Sequence, residues 1–377
     1  MTELAIRKQF PGLDIVRFLA ALSVVAFHLT FRISEPTGTA LLAGAVGVPF
    51  PELAQATWAG WVGVEIFFVL SGIVIAFTAE QSSPFAFLRS RFLRLYPAAW
   101  ISTALAAAAL LAVGVDTSDL PTRVWRSLIL FPVEPWIDGA FWTLPIEVSF
   151  YGLVFALLLI GRVKWLERLG YALIAASAIF WSMKFAHRMD ESIANIPQST
   201  WTRITLLEHG GYFGLGIILW RSAAGGITGP RIAFALVAIV VGFAEIVGVQ
   251  GGVFFAPVGV WLVALAAMAA SLFVPALQFR SLLARRLGLI TYPLYLTHQT
   301  FGYLTIGTLI RMGANRFLAL ATAVTICFCV AIAIALIAEP RVKAFLASLF
   351  ARLHRPLPVN VADLDHVPAV SRMDVTR

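Results

Sequence analysis

Ten long apolar stretches constrain most strongly what this chain can fold into. A transmembrane helix needs about 20 predominantly apolar residues, and each stretch is close to that length. Hydrophobic residues make up 60% of the chain and charged residues 13%, whereas about a quarter of the residues of a typical soluble domain are charged. The sequence therefore predicts an all-α polytopic membrane protein of about ten transmembrane helices, at residues 13–33, 61–79, 95–113, 141–160, 169–185, 204–220, 232–249, 254–274, 289–310 and 317–338.

The basic residues between these stretches predict how the chain is oriented. If both termini are cytoplasmic, at least sixteen Lys and Arg lie on the cytoplasmic side and eight on the other. Cytoplasmic loops carry the excess of Lys and Arg in membrane proteins, so we expect both termini in the cytoplasm. No basic patch interleaved with aromatic residues occurs in the sequence, so the net charge of +8 does not indicate nucleic-acid binding.

Three parts are predicted along the chain: a cytoplasmic arm at 1–12, a membrane domain at 13–340 and a cytoplasmic tail at 341–377. The tail is polar and contains several prolines, so we expect it to be largely disordered. The first apolar stretch is a full span and is expected to stay uncleaved. The two cysteines, Cys327 and Cys329, lie two apart in one apolar stretch and point to different faces, so neither a disulfide nor a metal site is predicted.

The first apolar stretch carries two ionisable residues, Arg17 and His28. Such residues are costly in a bilayer and usually face a cavity, a partner or a substrate path. Eleven residues make about three helical turns, so the two side chains share one stripe, about 16 Å apart along the axis. Asp14 lies one turn before Arg17 and can form an ion pair with it. That pair has two interpretations, simple neutralisation near the interface or a role in the site, and both stay open.

Glu147, in the fourth stretch, is expected at a depth similar to that of His28. A carboxylate beside a histidine orients the ring and stabilises its protonated form, so the two residues are a candidate acid–base pair. Tyr151, four residues after Glu147, shares its helical face and can hold the carboxylate. Glu147 also fits a structural ion pair or a titrating residue of another kind.

Three arginines, Arg89, Arg91 and Arg94, precede the third stretch on the predicted cytoplasmic side. Arg91 and Arg94 are one helical turn apart, so their guanidinium groups can bind one anion together, and phosphate is a suitable anion. The alternative is that these arginines serve only to orient the chain.

Other polar residues give weaker signals. We expect Ser71 to bond to a carbonyl of its own helix, with contact to a substrate as the alternative. His298 lies deep in the ninth stretch and has no simple structural explanation. Glu65, Glu208 and His209 are expected at helix ends near the lipid headgroups.

The glycines of HGGYFGLG, in the sixth stretch, form a separate pattern. Small residues allow close helix packing in membranes, so the pattern predicts close contact between this helix and its neighbours.

Five short segments of the sequence together resemble the acyltransferase family 3 proteins, which are integral-membrane O-acyltransferases of bacteria and some eukaryotes. The resemblance covers about residues 10–340. It rests on LDIVRFLAALSVVAFH, GVEIFFVLSG, RSRFLRLYP, FWTLPIEVSFY and TYPLYLTHQ, in that order.

The resemblance implies transfer of an acyl group, usually acetyl from acetyl-CoA, onto a hydroxyl of a glycan, a lipid-linked sugar or another small acceptor. It implies that His28 is catalytic, that Arg17 is essential and that Arg91 and Arg94 attend the acyl donor. Acyl-CoA is then a co-substrate, and no permanently bound cofactor is expected. The expected location is the inner (plasma) membrane of a bacterium, among the shorter members that lack a fused hydrolase-like domain, while the oligomeric state stays open.

In the expected mechanism, His28 takes the proton of the acceptor hydroxyl while Glu147 holds the imidazole. Arg17, Tyr292 and backbone amides are candidate donors to the oxyanion. Direct transfer is favoured because neither cysteine is in an activating environment, although Ser71 keeps a covalent route open.

Two other classes of protein fit the same residues. The first is a proton-coupled secondary transporter in which His28, Glu147 and Arg17 form a proton relay. The second is a membrane protein that binds glycans or lipids without catalysis.

Overall fold

The fold is all-α, as the sequence predicts. The computed structural model describes residues 10–35, 45, 47–48, 50–114, 118–192, 195, 197–250 and 255–353, and no strand occurs among them. The helices are α1 (Pro11–Ala26), α2 (Pro51–Thr57), α3 (Gly63–Ala79), α4 (Pro84–Val113), α5 (Leu120–Leu128), α6 (Thr143–Leu159), α7 (Leu166–Met189), α8 (Thr200–Ile204), α9 (Gly210–Gly225), α10 (Gly229–Gln250), α11 (Phe255–Phe273), α12 (Leu282–Arg311), α13 (Arg316–Ala333) and α14 (Glu339–Leu353).

Among the described residues, eight helical segments are long and apolar enough to cross a membrane. They coincide with eight of the ten predicted stretches, so the chain is a multi-pass membrane protein. The other two stretches correspond to α9, which has 16 residues and is mostly buried, and to α12, which has 30 residues and many buried polar side chains. A helix enclosed by other helices contacts little lipid, so it can be shorter or more polar than its neighbours. The total of ten spans stays a prediction.

The first part of the predicted cytoplasmic tail, 341–377, is helical. Helix α14 continues the chain to Leu353, after a wide helical turn at Ile334–Ala338. In this helix the ring of Phe350 lies 5.9 Å from the ring of Phe92 in α4, edge to face. This apolar contact packs the helix against the bundle. Residues 354–377, and residues 1–9 of the predicted arm, lie outside the described part of the chain.

The predicted start of the sixth stretch, at about 204, is wrong. The short helix α8 ends there, and the backbone turns at Leu206, where φ is 63°. Helix α9 begins at Gly210. Two of the predicted loops are partly helical as well, since α2 and α5 lie within them.

Helix α3 lies at the centre of the bundle, where it packs against α1, α6, α9 and α11. Its contact with α9 is backbone to backbone. A Cβ atom on Gly216 would lie 2.2 Å from the carbonyl oxygen of Val69, and one on Gly72 would lie 2.3 Å from that of Phe213. These distances confirm the packing role predicted for the glycines of the sixth stretch.

We expect Gly216→Ala to destabilise the protein by at least about 1–3 kcal/mol, the usual cost of overpacking a core. The added methyl group would meet the backbone of α3 and force α9 away. The thermal unfolding midpoint of the purified protein in detergent measures the effect. Gly152→Ala is the matched control, because nothing lies within 4 Å of the position of its Cβ. An equal midpoint for both variants would contradict this packing.

Candidate active site

Three of the predicted arginines line one cavity of about 100 Å³, here called the arginine cavity. Arg17 of α1, Arg91 and Arg94 of α4, and Glu147 of α6 line it. The remaining lining residues come from α3, α6 and α12, and include Val64, Ser71, Thr143, Tyr151, Tyr292 and Tyr295. Five helices thus bring together side chains that are up to 278 residues apart in the sequence (17 to 295).

Each arginine of the cavity is held by a neighbouring side chain. Nη1 of Arg17 donates to Oδ1 of Asp14 at 2.9 Å, so the predicted ion pair is confirmed. The guanidinium carbon of Arg94 lies 5.0 Å from the ring centre of Tyr292, and that of Arg91 lies 5.9 Å from the ring centre of Tyr151. Stacking on rings leaves the N–H groups of a guanidinium free for other acceptors.

Arg89, the third predicted donor-binding arginine, does not line this cavity. It donates to the carbonyl of Ala347 at 3.3 Å and lies 5.5 Å from the ring centre of Phe350. Residues two apart lie about 200° apart around a helix, so Arg89 faces α14 when Arg91 faces the cavity.

Glu147 is fixed by two hydroxyl groups. Its Oε1 accepts from Oγ of Ser71 at 2.8 Å and also from the hydroxyl of Tyr151, which confirms the contact predicted for Tyr151. The prediction that Ser71 bonds to a carbonyl of its own helix is wrong. Because α3 and α6 lie side by side here, the hydroxyl reaches a carboxylate, which is a stronger acceptor than a helix carbonyl.

A second cavity, of about 730 Å³, contains His28 and is here called the histidine cavity. Val64 lines both cavities, so they are neighbours that share one side chain. The other residues that line the histidine cavity are Phe27, Phe31, Arg32, Trp58, Trp61, Glu65, Trp142 and Val249.

The local backbone positions His28. Helix α1 ends at Ala26, and Phe27–Phe31 form a π-helical turn, a wider turn often found at functional sites. Nδ1 of His28 lies 2.9 Å from the carbonyl oxygen of Val24 and 3.1 Å from Nε2 of His298. The sequence gives no signal for this turn.

The predicted pairing of His28 with Glu147 is wrong. The two residues line different cavities, and the carboxylate of Glu147 bonds to hydroxyl groups of α3 and α6. The partner of His28 is His298, on α12. The pairing was expected because Glu147 was placed at the depth of His28, but the structure places it in the cavity of Arg17, about three helical turns before His28.

These contacts determine which ring nitrogens carry protons. Nδ1 of His298 lies 2.8 Å from the carbonyl oxygen of Tyr295, and a carbonyl only accepts. Nδ1 of His298 is therefore protonated, and its Nε2 accepts from Nδ1 of His28, which also donates to Val24. Nε2 of a neutral His28 then keeps its lone pair, as a general base requires.

Asp138, which sequence reasoning missed, supports this arrangement from behind. It is fully buried, and its Oδ2 accepts from the backbone N–H of Thr300 at 2.8 Å and from its hydroxyl at 2.7 Å. Its Oδ1 accepts from the N–H of Ala140 at 2.9 Å. Asp138 thus ties the segment before α6 to α12, two residues after His298. An Asp-Gly pair before an apolar stretch is a helix-start signal that could have indicated it.

The expectation that Glu65, Glu208 and His209 reach the headgroups is wrong. All three are buried, because neighbouring helices cover the helix ends that carry them. Nδ1 of His209 lies 2.5 Å from Oε1 of Glu245 on α10. Glu208 accepts from the hydroxyl of Thr202, and Glu65 lines the histidine cavity.

Comparison with known proteins gives one family match and several relatives. A family described as an acyltransferase domain matches residues 10–339. Acyltransferase MdmB of Streptomyces mycarofaciens is 30% identical over 159 residues, 38% of this chain and 38% of that protein. Exopolysaccharide production protein ExoZ of Rhizobium meliloti (strain 1021) is 28% identical over 207 residues, 51% of this chain and 60% of that protein.

A third relative is Nodulation protein 10 of Rhizobium leguminosarum bv. viciae, 30% identical over 142 residues, 31% of this chain and 38% of that protein. The matched segments thus span between 38% and 60% of the lengths of these relatives. No solved structure matches the chain.

Proposed function

The chain belongs to the acyltransferase domain family, which covers residues 10–339, and we propose that it transfers an acyl group from acyl-CoA to a hydroxyl of an extracytoplasmic polysaccharide or smaller acceptor. Acetyl is the acyl group proposed first. One observation carries the proposal: a cationic cavity and a cavity with an unprotonated imidazole nitrogen share a wall at Val64. The name of one relative, an exopolysaccharide production protein, supports a polysaccharide acceptor.

The arginine cavity is the proposed donor site. Coenzyme A carries phosphate groups, and guanidinium groups bind phosphate through paired N–H donors. Arg17, Arg91 and Arg94 supply three positive charges, while Glu147 supplies a negative one nearby. In the predicted orientation this cavity lies toward the cytoplasm, where acyl-CoA is made. The anionic head of the donor then stays at that end, since it cannot enter lipid.

The uncharged pantetheine arm reaches from the arginines toward His28. Arg17 and His28 are eleven residues apart on one helix, or about 16 Å along its axis. The arm passes Val64, the side chain that both cavities share. This path brings the thioester carbonyl to the histidine cavity, which receives the acceptor from the other face of the membrane.

His28 is the general base of the proposed reaction. Its Nε2 takes the proton of the acceptor hydroxyl while that oxygen attacks the thioester carbonyl. The carbon–sulfur bond breaks, and the thiolate of coenzyme A leaves and takes the proton from the imidazolium. His298 accepts a hydrogen bond from Nδ1 throughout, so it orients the ring and stabilises the imidazolium.

The other candidates take positioning roles. The hydroxyl of Tyr292 donates to the carbonyl of Leu95 at 3.1 Å, so its ring holds Arg94 and we no longer assign it to the oxyanion. Arg17 stays a candidate for that role. Ser71 donates to Glu147 and not to a histidine, an arrangement that favours direct transfer over a seryl intermediate.

Membership of the acyltransferase family decides against the two other classes of protein. A proton relay through His28 and Glu147 also requires contact between them, and the two residues bond to different partners. The inner membrane, with both termini in the cytoplasm, stays the proposed location.

We expect His28→Ala to lower kcat for acyl transfer by about 10²–10⁴-fold, the usual contribution of a general base. His298→Ala lowers kcat by a smaller factor, because His28 remains but its ring is no longer held. Neither change affects the arginine cavity, so KM for acetyl-CoA stays the same. Release of the coenzyme A thiol by protein in lipid nanodiscs, with methyl glycosides as acceptors, measures both constants. A fully active His28→Ala variant would sink the proposal.

The double variant Arg91→Gln/Arg94→Gln should raise KM for acetyl-CoA by about 10²–10⁴-fold, since two charge-assisted hydrogen bonds of about 1.5–3 kcal/mol each are lost. The same assay measures it. Arg162→Gln is the control, because that arginine lies over Trp165 on the same predicted side and outside the cavity. If the double variant and the control have the same donor KM, the arginine cavity is not the donor site.

A further inference from the structure

The wall of the histidine cavity contains a buried carboxylate that the proposed chemistry does not use. Glu65 is 3% exposed and lines the cavity beside His28. Its Oε2 has no hydrogen-bond partner among the described residues. A buried carboxylate without a partner is costly, and most buried polar groups have one. Oε2 of Glu65 can therefore accept a hydrogen bond from a molecule in the cavity.

The rest of the wall indicates what that molecule is like. Three tryptophans, Trp58, Trp61 and Trp142, line the same cavity. Flat indole rings pack against the apolar face of a ring, and a carboxylate accepts from its hydroxyl groups. A lipid chain would cover the indoles but leave the carboxylate of Glu65 unpaired. A hydroxyl-bearing ring satisfies both kinds of group.

Close backbone packing fixes Glu65 relative to His28. A Cβ atom on Gly60 would lie 2.1 Å from the carbonyl oxygen of Ser23, and one on Gly63 would lie 2.4 Å from that of Ala20. The hydroxyl of Ser23 also donates to the carbonyl of Gly60 at 3.1 Å. The segment that carries Trp61 and Glu65 is thus bound to α1 just before the turn that carries His28, so base and carboxylate form one rigid unit.

We propose that Glu65 is an acceptor-binding residue, which accepts a hydrogen bond from a hydroxyl of a pyranose ring while His28 acts on a second hydroxyl of that ring. The tryptophans pack against the ring face. Glu65 thereby determines which hydroxyl meets Nε2 of His28, and hence the position that is acylated. This inference rests on the proposed function, because the second hydroxyl is the one that the proposed reaction acylates.

A set of deoxy sugars tests the hydrogen bond directly. Methyl α-D-glucopyranoside and its 2-, 3-, 4- and 6-deoxy forms serve as acceptors with acetyl-CoA. For the wild type, one deoxy form that still carries the acylated hydroxyl should lose about 5–100-fold in kcat/KM, because the buried Oε2 of Glu65 is then left unsatisfied. For Glu65→Ala, the parent sugar and that deoxy form should be used equally well. A loss of the same size in both proteins would overturn the inference.

The thermal unfolding midpoint separates a binding role from a structural one. Oε2 of Glu65 has no hydrogen bond to lose within the described residues, so Glu65→Gln, which keeps the shape of the side chain, should unfold at the same or a higher temperature than the wild type. A binding residue then shows weaker use of the acceptor in a protein that is no less stable. A clearly lower midpoint would assign Glu65 a structural role and overturn the inference.

Binding without the donor distinguishes failure of this inference from failure of the proposed function. The same glycosides are titrated against tryptophan fluorescence in the absence of acetyl-CoA. Weaker binding by Glu65→Gln than by the wild type supports the inference even if no transfer occurs. Glu52→Gln is the control, because Glu52 is exposed and pairs with Arg316 outside the cavity. If the wild type binds none of these glycosides, or both variants bind them equally, the inference fails.

Discussion

The hydrogen bond between Nδ1 of His28 and Nε2 of His298 is the contact on which the proposed chemistry of this chain depends. It joins the π-helical turn after α1 to α12, and together with the carbonyl of Val24 it keeps the proton on Nδ1 of His28, so that Nε2 is free. Neutral His298 takes the place that a carboxylate has in many acid–base pairs. Nε2 of His298 accepts the hydrogen bond, because its Nδ1 donates to the carbonyl of Tyr295. The π-helical turn gives His28 the direction this contact requires.

In the proposed function, the two cavities separate recognition of the donor from proton transfer. Cationic side chains surround one cavity, and aromatic rings with His28 surround the other. Val64 lines both cavities. In the proposed reaction it keeps the anionic head of the donor apart from the base and leaves a short path for the uncharged arm. Glu147 has a role in the arginine cavity and not beside His28. A carboxylate among arginines limits their mutual repulsion when no phosphate is present.

Periodicity and charge placement predict the helices of this chain well, because a bilayer leaves few alternatives for long apolar stretches. The pairs Asp14–Arg17 and Glu147–Tyr151 were predictable too, since residues three or four apart meet on any α-helix. The His28 partner was not, because a π-turn has no sequence signature here and depth alone cannot say which helix is adjacent. Burial of Glu65 was missed for a similar reason: only the tertiary packing reveals which helix ends are covered.

Nitrogen-15 NMR of histidine-labelled protein in lipid nanodiscs, with His28→Gln used to assign the signals, tests the central claim most directly. A protonated ring nitrogen and one with a lone pair have well-separated chemical shifts. We predict that neutral His28 carries its proton on Nδ1, where both the carbonyl of Val24 and Nε2 of His298 accept from it. A neutral His28 with its proton on Nε2 would contradict this assignment.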